Sequence, residues 1–390
     1  MSSILLEGLT SLPVAAWAGI AVAAVLLVHF VPFIVDPTGS AQQLIRQWDR
    51  LYDLAEGEGW QGRDGRLWLD SLPWYNYLAF DIIEKAMASY GDNNSPEITY
   101  FPAVQILNDR GEYSASLGVL PPHWRPFVKL IPWYRKGNEA VQRLAGIAIA
   151  QVAKRLTTPT DRSDLLGKLQ EGKDDEGNPM SREELTAEAL TQLIAGSDTT
   201  SNSSCAITYH LAANPLVQQK LQHELDEALG SDDDPVSTFE QVKRLPYLEA
   251  VINEALRIHS TSGIGLPRVV PEGGMTVLGQ YFPEGTVLSV PTYTIHRNTE
   301  VWGKDVDAFR PERWFEQDEK AIQKTFNPFS FGPRSCVGRN LASMELLVII
   351  SSILRRYHFV LEDPEMKLDT KEGFLRKPVQ CRVGIRRRSA

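Results

Sequence analysis

Residues 326–338 read FNPFSFGPRSCVG. Cys336 stands between Gly332 and Gly338, just before an apolar run with helical spacing. The head of a helix presents unsatisfied N–H groups and the positive end of its dipole, and both favour a thiolate. Gly332 permits a tight turn, and Gly338 lets a flat ligand lie against the backbone. Phe329 is placed to shield the sulfur from water. Arg334, two residues before the cysteine, is placed to pair with an anionic group of a bound cofactor. A lone cysteine is by default a buried core residue. Here the spacing F-x-x-G-x-R-x-C-x-G fixes five positions together, which chance rarely produces.

Working outward, the chain has the composition of an ordinary globular protein. Of its 390 residues, 43% are hydrophobic and 23% charged. That suffices for a sizeable core and excludes a disordered, collagen-like or many-span membrane protein. A net charge of −9 argues against a nucleic-acid partner. Cys205, Cys336 and Cys381 make an odd, sparse set. They form no disulfide framework and place the soluble part in a reducing compartment, with Cys205 and Cys381 read as structural.

The stretch Val14–Val35 contains no Asp, Glu, Lys or Arg. It meets the ~20 apolar residues a spanning helix requires. The residues before it carry Glu7 and no basic side chain, against a cleaved signal peptide. Arg46 and Arg50 follow it, so the positive-inside rule puts the bulk of the chain in the cytosol. Residues 1–36 are read as a single N-terminal transmembrane anchor. Further on, helices are expected over 41–57 (with Leu44, Trp48 and Leu51 on one face), 78–87, 139–156, 182–212, 214–229, 246–259 and 338–357. Ser181 and Glu184 have capping-box spacing. Short β-rich runs fall within 268–292. The fold class is mainly α with a small β part.

The five positions Phe329, Gly332, Arg334, Cys336 and Gly338 resemble the haem-binding loop of the cytochrome P-450 monooxygenases. The resemblance implies haem b as cofactor, with the Cys336 thiolate as the iron ligand. Three further motifs occur in the family's order. Ala195-Gly-Ser-Asp-Thr-Thr200 lies inside a helix where a local kink is expected to make room for a ligand. By resemblance, Thr199 hydrogen-bonds dioxygen and Asp198 helps relay protons. Glu254-Ala-Leu-Arg257 and Phe309-Arg-Pro-Glu-Arg-Trp314 supply Glu254, Arg257 and Arg313, which the resemblance places in a buried charge network with a structural role. Arg268 matches a position that meets a haem propionate. His296 matches another, with a packed loop histidine as its alternative.

The resemblance covers about Trp68 to Arg388. The runs at 266–298, 326–347 and 373–388 resemble fungal benzoate 4-monooxygenases. The fold implied is that of a cytochrome P-450 with 41–390 as a haem-thiolate monooxygenase domain. Relative to the family, a block on the order of a hundred residues is expected to be missing between Pro37 and Ala41, and the chain has no Trp-x-x-x-Arg. The implied activity inserts one oxygen atom from O2 into an aromatic substrate, by para-hydroxylation of benzoate or a related acid. Electrons would come from NADPH through a cytochrome P-450 reductase docking near Lys324, Arg334 and Arg339, on the cytosolic face of the endoplasmic reticulum membrane. Two alternatives stand beside it. One is a reductase-independent haem-thiolate isomerase or dehydratase, and the other is a truncated remnant that does not hold haem.

Overall fold

The computed structural model describes residues 37–388, apart from 59–61, 88–99, 122, 129, 158–163, 174–175, 231–233 and 317. The expected anchor at Val14–Val35 lies outside the described residues. Among those described, no helix is long and apolar enough to cross a membrane.

The helices are α1 (Pro37–Glu58), α2 (Ser71–Met87), α3 (Tyr100–Val119), α4 (Pro132–Thr157), α5 (Arg182–Ala213), α6 (Pro215–Leu229), α7 (Pro246–Ile258) and α8 (Arg339–Arg356), joined by shorter turns. The expected helices are all present, and α1, α2 and α4 start earlier than expected. The axis is α5. Its start is set by the expected capping box: Ser181 Oγ accepts from the Glu184 N–H, and Glu184 Oε2 accepts from the Ser181 N–H at 2.7 Å. Its first half buries the stripe Leu185, Ala189 and Leu193, while from Ser197 to Thr208 nearly every residue is buried. A helix enclosed on all sides needs partners all round. Helix α2 supplies one: Tyr75 Oη and Thr208 Oγ1 are 2.6 Å apart. A Cβ on Gly196 would lie 2.8 Å from Ile83 Cδ1. Gly196 therefore serves close helix packing. The helix also runs unbroken from Arg182 to Ala213, through the segment 195–200 where a local kink is expected. Ser197 and Thr199 send their hydroxyls to the carbonyls of Leu193 and Ala195, four residues back, which keeps the ladder intact.

The β part is small, as expected. Strands β1 (Gly62–Arg63), β2 (Arg66–Asp70), β7 (Tyr357–Leu361) and β10 (Arg382–Arg387) form one antiparallel sheet in the order β1-β2-β10-β7. The last strand is thus central: Val383 faces Leu69 and Leu361, and Ile385 faces Leu67 and Phe359. Three two-stranded ribbons accompany it among the described residues. They pair β3 (Arg268–Val269) with β6 (Val287–Leu288), β4 (Met275–Val277) with β5 (Gln280–Phe282), and β8 (Thr370–Lys371) with β9 (Lys377–Pro378). Cys205 and Cys381 are both free and fully buried, as structural cysteines are.

Behind α7 lies the charge network. The side chains of Glu254, Arg257 and Arg313 are all 0% exposed. Glu254 accepts five hydrogen bonds, from Arg257 Nε and Nη2, Arg313 Nε, the Arg310 N–H and Trp314 Nε1. The guanidinium groups spend their remaining N–H donors on the carbonyls of His296, Val306, Trp302, Asp305 and Ala308. Glu254→Ala strands two buried guanidinium groups and is expected to cost about 3–5 kcal/mol. A denaturant titration of the variant with an unchanged midpoint would contradict this.

Candidate active site

The loop before α8 holds Cys336 by backbone geometry. The Asn327 N–H donates to His296 Nε2 at 2.9 Å, and the Cys336 N–H donates to the Phe329 carbonyl at 2.8 Å. Between them Ser330 and Gly332 take φ values of +61° and +75°, so the chain folds back twice within three residues. Glycine takes such values without steric cost. A short 3-10 turn, Gly332–Arg334, follows. Gly338 caps α8, its carbonyl accepting from the Ala342 N–H. The result is an exposed, unpaired thiol three residues before a long helix. Phe329 is half-buried beneath it, with Arg339 stacked over its ring and bonded to the Ser330 carbonyl.

Arg334 and Arg268 are exposed, and neither pairs with a carboxylate among the described residues. Arg268 donates to the neighbouring Pro267 carbonyl. Val337, next to the thiol in the chain, is exposed, as are Ile264 and Phe374 on two loops. The two loops are tied together by the Arg376 N–H to the Thr261 carbonyl, and to α5 by Thr261 and Ser203. One soft thiol, two unpaired guanidinium groups and open apolar surface fit a flat, apolar, dianionic ligand that contains iron.

Helix α5 brings the second group of residues. Thr200 Oγ1 donates to Glu345 Oε2 at 2.7 Å, stitching α5 to α8. Asp198 and Thr199 therefore stand on the helix that packs against the one Cys336 introduces. Thr199 is half-buried, and Asp198 is buried in an ion pair with Lys377 Nζ at 2.9 Å.

His296 does not join them. It is 0% exposed. Nδ1 faces Ser260 Oγ and the Arg257 carbonyl, and Nε2 accepts from Asn327. With both ring nitrogens engaged and the ring out of contact with solvent, the expected propionate contact is corrected. His296 is the packed alternative, and it ties the Cys336 loop to α7. Two side chains escaped the sequence reading. Glu345 carried a signal, a single carboxylate inside the apolar run LASMELLVII. Lys377 carried none, because only the tertiary fold delivers it to Asp198.

A family model, Cytochrome P450, matches residues 40–385. The chain belongs to the cytochrome P450 family. It is a haem b-dependent monooxygenase of the mainly helical P450 fold. Benzoate 4-monooxygenase bphA of Aspergillus niger is 47% identical over 373 residues, covering 90% of this chain and 71% of that protein. Cytochrome P450 monooxygenase hepC of Aspergillus oryzae is 38% identical over 221 residues, covering 55% of this chain and 42% of that one. Cytochrome P450 monooxygenase traB of Penicillium crustosum is 32% identical over 307 residues, covering 77% and 60%.

The buried titratable groups of this P450 give its stability a definite pH profile. Burial above all draws His210, His259 and His296 down from 6.5 to about 3, 4 and 3. Burial pushes Glu345 up from 4.5 to about 8, against the Thr200 hydrogen bond. Below pH 6.5 the unfolded chain takes up histidine protons that the folded one refuses, so stability falls as pH falls. Between 4.5 and 8 the folded chain keeps a Glu345 proton that the unfolded one releases, so stability falls as pH rises. Three histidines outweigh one carboxyl below 6.5, and above it the carboxyl acts alone. Melting temperature is expected to peak near pH 6.5. Glu345→Gln, which stays neutral, should remove the decline toward pH 8. Thermal melts across pH 5–8 check both.

Proposed function

We propose that this P450 para-hydroxylates benzoate or a closely related aromatic acid, with Cys336 as the thiolate ligand of its haem. One observation carries the ligand assignment: the exposed, unpaired Cys336 thiol at the head of α8, near Arg334 and with no carboxylate paired to Arg334 or Arg268. The substrate rests on the likeness to the Aspergillus niger benzoate 4-monooxygenase. When bound through a thiolate, haem b supplies dioxygen activation. The chain supplies the rest. Cys336, at the head of α8, would supply the sulfur that ligates the haem iron. Arg268 and Arg334 neutralise the two carboxylates of the cofactor. Thr199 Oγ1, held by the Ala195 carbonyl, and the Asp198 carboxylate, poised on Lys377, hold protons on the oxygen-binding side.

Lys324, Arg334 and Arg339 are exposed and form the basic surface on which we place a reductase that delivers electrons from NADPH. We further place the enzyme on the endoplasmic reticulum membrane. Beyond the apolar stretch Val14–Val35, the exposed Trp124, Phe127, Leu130, Ile131 and Trp133, flanked by Arg125 and Arg135, support that reading. Aromatic side chains beside basic ones suit a membrane–water interface.

The carbon-monoxide difference spectrum of the reduced full chain, expressed in microsomes, tests the ligand. A red-shifted Soret band is expected, and Cys336→Ala should abolish it. NADPH-dependent formation of 4-hydroxybenzoate with added reductase tests the reaction. Turnover without NADPH would point instead to the reductase-independent isomerase chemistry.

A further inference from the structure

Oxidising a C–H bond with O2 consumes protons as well as electrons. One oxygen atom enters the substrate, the other leaves as water, and two electrons and two protons are taken up. When the O–O bond survives, the same electrons and protons leave as hydrogen peroxide. We infer that Lys377 is a positioning residue for this proton supply: it pins Oδ1 of Asp198 and leaves Oδ2 to carry the proton. The inference rests on the proton-holding role proposed above for Asp198.

Three elements meet at this lysine. Its Nζ, at the start of β9, donates to Asp198 Oδ1 on α5 at 2.9 Å and to Asn108 Oδ1 on α3 at 3.4 Å. A Cβ on Gly111 would lie 3.5 Å from the same Nζ, so the ammonium group sits directly on α3. The Asp198 side chain is 6% exposed and that of Lys377 21%. Asp198 Oδ2 makes no hydrogen bond or ion pair among the described residues. The terminal torsion of an aspartate is broad and two-fold, so an unheld carboxylate turns easily. Held at Oδ1, it presents Oδ2 in one direction.

The lysine is itself held in place. Across the β8–β9 ribbon it is the partner of Lys371. Beside it in the chain, the Arg376 N–H donates to the Thr261 carbonyl at 2.8 Å, and Thr261 Oγ1 lies 3.2 Å from Ser203 Oγ on α5. The bonds close a ring: Asp198 to Lys377, along the chain to Arg376, across to Thr261, on to Ser203 and back along α5. Both ends of the ring stand on one continuous helix, so the ammonium group moves only by breaking a bond. Apolar side chains of similar volume usually stabilise a buried position as well as an ion pair does. A charged pair framed this closely points to a use for the charge. Thr199, the hydroxyl we place on the oxygen-binding side, is the next residue after Asp198, and its Oγ1 is fixed on the Ala195 carbonyl.

The test compares the full-length wild type with Lys377→Met, Lys377→Arg, Asp198→Asn and the Lys377→Met/Asp198→Asn double variant, each with reductase and benzoate. The readouts are hydroxylated product per NADPH, hydrogen peroxide released, the solvent isotope effect on turnover, and the benzoate Kd from the substrate-induced Soret shift. The reduced carbon-monoxide spectrum checks folding. Lys377→Met is expected to lower product per NADPH about 10-fold, with peroxide and the solvent isotope effect rising and the benzoate Kd unchanged. Lys377→Arg should restore most of the yield, and the double variant should be no worse than Asp198→Asn, because the lysine acts through the carboxylate. Should Lys377→Met lose the carbon-monoxide band, Lys377→Gln, which keeps a donor without the charge, takes its place with the same direction expected. A wild-type yield in the uncharged Lys377 variant, losses that add in the double variant, or a benzoate Kd weakened as much as the yield overturns the Lys377 assignment alone. A wild-type yield in Asp198→Asn overturns the proton role of Asp198 and this inference with it.

Discussion

Two guanidinium groups and one carboxylate buried behind α7 are the constraint on which the rest of the structure depends. Removing such charges from water costs several kcal/mol per ion, and the cost is offset only where every donor is met. Here every one is met, because Glu254 accepts five hydrogen bonds and backbone carbonyls from the 296–308 segment take the remainder. The requirement pins that segment to α7. Arg257 bonds the His296 carbonyl, the His296 ring bonds back to Arg257 and Ser260, and its far nitrogen takes the Asn327 N–H. The position of the cysteine loop is thus inherited, bond by bond, from a salt bridge that touches no ligand. It is a positioning device, and the neutral His296 is its last link.

The second constraint is the polarity of α5. A helix with Ser197, Thr199, Thr200 and Ser201 in succession offers its backbone several competitors. The structure resolves the competition by burial. Ser197 and Thr199 turn back onto the ladder, while Thr200 spends its hydroxyl on Glu345 of α8. Glu345 is fully buried and has no cation beside it, so its neutral form is favoured and the α5–α8 contact has no net charge to solvate. The helix that carries Asp198 and Thr199 and the helix that follows the thiol are locked together by that neutral contact.

Much of this was legible in the sequence, for reasons that differ by residue. Ser181 with Glu184, the Cys336 loop and the Glu254–Arg257 spacing are local patterns whose physics is complete within a few residues. His296 was left between two readings, and the choice, like the close packing at Gly196, depends on what packs against the residue. Ile83 occupies the space beside Gly196, and Asn327 and Ser260 occupy the nitrogens of His296. Glu345 and Lys377 were not singled out at all. Each gains meaning only from a partner far along the chain: Lys377 meets Asp198 across 179 positions, and Glu345 meets Thr200 across 145.

That separation divides the molecule's labour. The cysteine loop and its charge network are built from short motifs and determine the kind of chemistry, which a relative of 32% identity, also a P450 monooxygenase, shares with this chain. Contacts such as those of Lys377 with Asp198 and Asn108, by contrast, join β9 to α5 and α3 across long stretches of sequence. The charge network behind α7 shares no hydrogen-bond partner with that junction among the described residues, so the two act independently.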